Sequence, residues 1–241
     1  TQAWHELKSS SERRRAELLP VVMGRTNNTV QHGIFSGMTI TPQWSWGDGD
    51  HAAKLLGTYE CELYDVVQEH IDSKPDLLLN VGCAEGFWGV GCGMLSSAPL
   101  ILVDINQSAI DTALGNAANN NVVVAETNTA FTPALLEDRL STSTNPLLIM
   151  DCEGAEEDYL DPSVVPSLAK TRIVVETHDC FKPGISEKIA LRFTETHNIE
   201  LITQGAKNPY VEPINDFGDE DKWVLVNENR PHTMFWLNLT H

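Results

Sequence analysis

Long apolar runs are missing from this sequence. Its longest, such as PLILV and NVVVA, fall far short of the ~20 residues that a membrane-spanning helix needs. Basic residues are scarce as well: 16 Lys and Arg stand against 34 Asp and Glu, a formal net charge of −18. A surface so acidic repels phosphate backbones and anionic lipid, which argues against nucleic acid or membrane as the main partner. Cysteine is sparse and unpaired in pattern. Cys61, Cys83, Cys92, Cys152 and Cys180 are five in number, include no C-x-x-C pair, and lie within or beside apolar segments. They read as reduced thiols of a cytoplasmic protein. No leader-like pattern begins the chain, so no signal peptide is expected. There is also no Gly/Ser- or Pro-rich linker, internal repeat or low-complexity tract. With 41% hydrophobic residues among 241, the expectation is one folded core with an extension: residues 1–72 form a helical and loop extension covering the site, and 73–241 the main domain.

What is present is an alternation. The short β-branched and aliphatic runs LLLNV, LILVD, VVVAE, LLIMD and RIVVE are separated by segments of helical spacing, placed at 86–97, 107–119, 132–140 and 184–198. Strands apolar throughout, with helices between them, predict an α/β protein whose parallel sheet is covered on both faces. IELIT at 199–203 and KWVLV at 222–226 are expected to supply the last two of seven strands. Ahead of the sheet, 1–19 read as a charged amphipathic helix on which Arg13, Arg14 and Arg15 form a solvated face. A turn-rich stretch follows, and then one helix over 51–71.

In open α/β sheets, ligands bind beyond the carboxyl ends of the strands. The first strand ends in NVGCAEG, so that Gly82, Ala84 and Gly86 make a tight loop before a helix; small residues there let the backbone approach an anionic group at the helix start. Asp104 ends the second strand, where it could accept both hydroxyls of a ribose. Glu126 ends the third, with Thr127 and Asn128 able to bond a base edge. The middle glycine of a dinucleotide fingerprint is replaced by Ala84. Five carboxylates then crowd the segment after the fourth strand: Asp151, Glu153, Glu156, Glu157 and Asp158. Glu157 and Asp158 suit the positive start of a helix, Glu156 suits either role, and Asp151 and Glu153 suit chemistry. Glu176 ends the fifth strand, with His178 and Asp179 just beyond it.

NVGCAEG followed by VDIN resembles the cofactor motifs of class I S-adenosylmethionine-dependent methyltransferases, with their Rossmann-like fold. LLIMDCEGAEEDYL followed by RIVVETHD resembles the paired signature of the FkbM family, roughly D-x-E-G-x-E and V-E-x-H. The likeness covers about 77–179. It implies that Gly82, Ala84, Glu85 and Gly86 hold the methionine part of S-adenosylmethionine, Asp104 the ribose, and Glu126 or Asn128 the adenine side. Asn80 stands where the family has an acid, and Glu85 or Glu60 is the candidate replacement for its contact to the cofactor's amino group. Tyr59 and Glu60, in GTYE before the sheet, are further cofactor candidates.

A hydroxyl acceptor must lose a proton when it takes a methyl group, so the acids have two possible tasks. In one, Asp151 and Glu176, with Asp179 or His178 as a further ligand, bind Mg2+, which chelates the acceptor oxygens. In the other, favoured here, His178 is the general base, oriented by Asp151 or Glu153. Trp44, Trp46, Asp48 and Asp50 could close over a sugar; equally, the tryptophans could anchor the extension, with Asp50 a helix cap. The resulting expectation is an O-methyltransferase for a hydroxyl of a sugar or other polyhydroxylated small molecule, with room for a homo-oligomer. The rival readings are an NAD-dependent oxidoreductase and a non-catalytic binding protein of the same fold.

Overall fold

The computed structural model describes residues 10–42, 49–230 and 232–241. Trp44, Trp46 and Asp48 therefore lie outside the described residues. The strands are β1 (Leu77–Val81), β2 (Leu100–Val103), β3 (Val124–Asn128), β4 (Pro146–Met150), β5 (Arg172–Thr177), β6 (Asn198–Thr203) and β7 (Phe235–Thr240). They form one seven-stranded sheet in the order β3-β2-β1-β4-β5-β7-β6. All neighbours run parallel except β7, which is antiparallel to both β5 and β6.

The alternation of side chains across the pleat sets the layers. Leu78 packs into one hydrophobic cluster, and Leu77, Leu79 and Val81 into the other. The first cluster takes in Phe87, Val90, Ile110 and Ala113 from the helices after β1 and β2. The second takes in Leu136, Leu140, Ile185, Ile189 and Phe193 from the helices after β3 and β5. Burial on both faces is why these strands read as unbroken apolar runs.

The helices are α1 (Ser10–Thr26), α2 (His51–Leu56), α3 (Tyr64–Asp72), α4 (Phe87–Leu95), α5 (Gln107–Asn119), α6 (Pro133–Ser141), α7 (Glu156–Tyr159), α8 (Ile185–Phe193) and α9 (Asp219–Val226). The Thr132 side chain caps α6 by accepting from Leu135 N. Three expectations are corrected. Residues 222–226 are not a strand but part of α9, whose first turn carries Asp219, Glu220 and Asp221; acids there complement the helix dipole. The seventh strand is the later FWLNLT segment. The helix expected over 51–71 is broken after Leu56, because Gly57 takes φ +73° with its Cα packed on the His32 carbonyl, where a Cβ would stand 2.1 Å from His32 O. Finally, Arg15 is not solvated: it is buried, and its Nε donates to Val224 O at 3.2 Å.

That last bond belongs to a third cluster. Leu18, Leu19 and Val22 of α1, Leu55 and Leu56 of α2, and Leu225 and Val226 of α9 pack together with Ile214. The segment before the sheet and the connection between β6 and β7 thus share one core. Among the described residues no helix is long and apolar enough to cross a membrane.

Candidate active site

The first loop is fixed by its neighbours. Gly82 N and Cys83 N both donate to Val103 O, at 2.8 and 2.9 Å. Gly82 has φ +74°, and a Cβ there would fall 1.6 Å from Asp151 O. No other residue fits that turn against β4. Ala84 and Gly86 also lie in the left-handed region, at +47° and +87°. Buried Asp104 clamps the loop: its Oδ2 accepts from Ala84 N and its Oδ1 from Asn106 N, both at 2.9 Å. Asn80 is turned inward, where Oδ1 accepts from Gly89 N at 3.0 Å and so braces α4.

Above this loop opens a cavity of about 620 Å³, within the range of small-molecule sites. Gly82, Ala84, Glu85 and Asp104 line one part of it, and Asp151, Cys152 and Glu153 another. Ile105, Thr129, Phe131 and Tyr159 form an apolar side. The segment before the sheet supplies Glu12, Arg15, Asp50, Lys54 and Tyr59; the β6–β7 connection supplies Glu228, Asn229 and Arg230.

Several residues singled out from the sequence are placed otherwise than expected. Glu126 is held by Arg139 of α6, at 2.7 and 3.0 Å, and Asn128 accepts from Ala130 N at 2.8 Å. Neither lines the cavity. Glu60 is buried beneath it, accepting from Trp88 Nε1 at 2.5 Å and from Arg230. Asp50 does line the cavity, but its side chain does not cap α2. Instead it pairs with Lys54 at 2.8 Å.

Lys54 and Arg230 left no signal in the sequence. The Lys54 ammonium sits between Asp50 and Glu85, 4.6 Å from the Tyr59 ring centroid. Burial opposes its charge, yet the two carboxylates outweigh that and raise its pKa. The Arg230 guanidinium joins Glu60, Glu176 at 2.8 Å and Glu228 at 3.3 Å. Burial again opposes the charge, and Tyr59 and the three acids more than restore it.

The acid-rich segment closes on His178, which is buried at 2% exposure. Its Nδ1 lies 2.8 Å from Glu156 Oε1, which also accepts from Gly154 N at 3.0 Å and Cys152 N at 3.2 Å. A carboxylate only accepts, so Nδ1 carries the hydrogen. The orienting acid is therefore Glu156, not Asp151 or Glu153. Nε2 stands 3.4 Å from Glu153, 3.5 Å from Asp151 and 3.6 Å from Glu176. Burial, reinforced by the charges of Glu60 and Glu153, pushes the Asp151 carboxyl up to about 7 against the pull of His178 and Arg230. Burial lowers the His178 imidazolium, but the Glu156 bond and the surrounding carboxylates raise it overall. Asp179 is turned away: it accepts from Gly184 N at 3.1 Å and from Ser186, at the start of α8. This removes it from the expected metal set. Glu157 is paired with Lys182 and Lys188 at 2.6 and 3.0 Å.

A parallel sheet with an antiparallel seventh strand between the fifth and sixth, and a cavity over the carboxyl ends of β1, β2 and β4, is the Rossmann-like fold of class I methyltransferases. No protein-family model matches the chain. A curated relative, ribosomal protein L11 methyltransferase of Syntrophotalea carbinolica, is 30% identical over 87 residues, which are 36% of this chain and 27% of that protein. The match thus spans about a quarter of the relative's length. Among solved structures, ribosomal protein L11 methylase from Lactobacillus delbrueckii subsp. bulgaricus superposes with TM-score 0.48 at 12% identity, covering 85% of this chain and 86% of that one. The O-methyltransferase TomG from Streptomyces achromogenes, in complex with SAM, gives 0.46 at 13% identity, with 73% and 78% covered.

Proposed function

We propose that the protein is an S-adenosylmethionine-dependent O-methyltransferase of the FkbM kind, acting in the cytoplasm on a hydroxyl of a sugar or glycosylated small molecule. One observation carries the reading: a single cavity is lined by Gly82, Ala84, Glu85 and Asp104 and also by Asp151 and Glu153, whose carboxylates stand beside His178; His178 itself, like Gly86, is not part of the lining. The residues fit such a cofactor. Left-handed Gly82 and Ala84 line the cavity where Asp104 clamps the loop, Asp104 keeps carboxylate lone pairs beyond its two backbone bonds, and Ile105 and Phe131 offer apolar walls to a base.

When bound, the sulfonium cofactor supplies an electrophilic methyl group: the oxygen–methyl bond forms as the methyl–sulfur bond breaks, and its electron pair leaves with sulfur. The chain's own residues do the rest. Asp151 and Glu153, both lining the cavity, receive the acceptor hydroxyl. The corner they form with His178 removes its proton, a contribution worth roughly 10²–10⁴ in rate for a positioned group. Glu156 holds the imidazole at Nδ1, which keeps Nε2 beside Asp151 and Glu153. Lys54, Glu85 and Asp50 form a mixed-charge wall suited to the zwitterionic amino-acid end of the cofactor. The polyhydroxylated acceptor follows from the FkbM-like pairing of Asp151, Glu153 and Glu156 with Glu176 and His178.

The test is calorimetric titration with S-adenosylhomocysteine, with NAD as the control ligand, followed by an acceptor screen of sugars. Micromolar binding of S-adenosylhomocysteine alone, and methyl transfer to a sugar hydroxyl, are expected. Binding of NAD in its place would overturn the reading.

A further inference from the structure

We infer that Asp151, Glu153 and His178 form a binding site for one divalent transition-type cation, of the manganese, iron or zinc kind. One ligand atom from each residue lies within 4.8 Å of the other two. The separations from His178 Nε2, 3.5 Å to Asp151 Oδ1 and 3.4 Å to Glu153 Oε2, exceed the ~2.7–2.9 Å of a charge-assisted hydrogen bond. They match two ligands on one ion: bonds of about 2.0–2.2 Å at tetrahedral angles set ligand atoms about 3.3–3.6 Å apart.

Buried polar atoms at the same place point the same way. His178 and Glu176 are each 2% exposed. Nε2 meets the carboxylates only at 3.4–3.6 Å, longer than a charge-assisted hydrogen bond, and Asp151 Oδ1 is buried without a hydrogen-bond partner among the described residues. Carboxylate oxygens buried without a donor are costly, and a cation among them removes the cost. The other ring nitrogen is already fixed by Glu156 at 2.8 Å, the carboxylate–histidine support that metal-bound imidazoles carry. One imidazole and two carboxylates suit manganese, iron or zinc better than magnesium, which prefers oxygen alone. Asp151 and Glu153 also line the cavity, which leaves positions on the ion open to acceptor oxygens. That role in the reaction rests on the methyl-transfer reading above; the binding of the ion does not.

The experiment is titration of chelator-washed protein with Mn2+, followed by electron paramagnetic resonance, with electron spin echo detection of coupled ¹⁴N. Wild type, Glu153→Gln and His178→Gln are compared, and S-adenosylhomocysteine binding is measured on the same samples. The Glu153 side chain is 50% exposed, so its substitution leaves folding intact. One Mn2+ per chain at micromolar affinity is expected, at least tenfold weaker in Glu153→Gln, with ¹⁴N modulation that disappears in His178→Gln. Loose binding of many ions without ¹⁴N modulation, or affinity unchanged in Glu153→Gln, overturns the proposal. A strong ¹⁴N-coupled site in protein that does not bind S-adenosylhomocysteine supports the metal site and refutes the methyltransferase reading.

Discussion

Replacing Glu156 by Ala tests how the corner is held together. Glu156 is fully buried, and its Oε1 accepts from His178 Nδ1 at 2.8 Å, Gly154 N at 3.0 Å and Cys152 N at 3.2 Å. Truncation leaves all three donors without this acceptor. Breaking a buried charged pair by removing one partner costs about 3–5 kcal/mol. For a chain of this length that lowers the melting temperature by about 6–20 °C. Glu156→Gln keeps an oxygen acceptor but not the charge, and should lose roughly half as much. The assay is thermal denaturation at pH 7.5, with S-adenosylhomocysteine titration and turnover measured on the same preparations. Because Glu156 does not line the cavity, the alanine variant should bind this ligand within about threefold of wild type at temperatures where it is folded, and turnover should fall by at least tenfold. Melting within 2 °C of wild type with turnover intact would refute the account of Glu156 as the residue that orients His178.

Other outcomes follow from the same geometry. Gly82→Ala should abolish S-adenosylhomocysteine binding in calorimetry, because the loop cannot keep its place against Asp151 O. Asp104→Ala should weaken that ligand by about 10–100-fold, the scale expected for hydrogen bonds to a charged group; an unchanged dissociation constant would remove Asp104 from the cofactor site. Arg230→Met leaves Glu60, Glu176 and Glu228 without their shared cation and should cost about 3–5 kcal/mol in urea denaturation. Burial holds the His70 and His197 imidazoles below their ordinary pKa despite their bonds to Asn238 and to Thr171 O. At these two sites the unfolded chain binds protons more readily, so their share of stability is lost as pH drops through about 6.5 and below, opposite in sign to the shares of Asp151 and His178. Denaturation midpoints of wild type and His70→Gln at pH 7.5 and 5.5 isolate the His70 share: the variant should lose less on acidification than wild type, and an equal change in both would refute it.

The sheet was legible wherever a strand is buried on both faces. β1, β2, β4 and β5 have no polar face to interrupt the apolar run, and each announced itself. β7 did not, because FWLNLT carries Asn238, whose buried side chain is satisfied by His70 and Glu200. Those partners are remote in sequence, and an apolar KWVLV nearby looked more like a strand. The acidic turn DED before it was the overlooked helix signal. At the site, strand ends marked Gly82, Asp104, Asp151 and His178, since topology brings every carboxyl end to one edge. They could not mark Lys54, Arg15 or Arg230, which reach the cavity from outside the sheet. Nor could they show that Glu126 turns to Arg139, a choice made by the packing of α6.

The position of β7 has a consequence for assembly. β6 precedes it in the chain yet touches the sheet only through it, β7 lying between β5 and β6. Until the last strand arrives, β5 presents a bare hydrogen-bonding edge and β6 has no place to dock. The same closing step delivers Arg230 to Glu60 and Glu176, and brings α9 onto α1 and α2. Chain growth therefore builds the Gly82–Gly86 loop early and withholds a complete cavity until the sheet is sealed. A nascent or partly unfolded chain would hold its acids facing water with no arginine among them, and would bind neither ligand nor acceptor before the fold is complete.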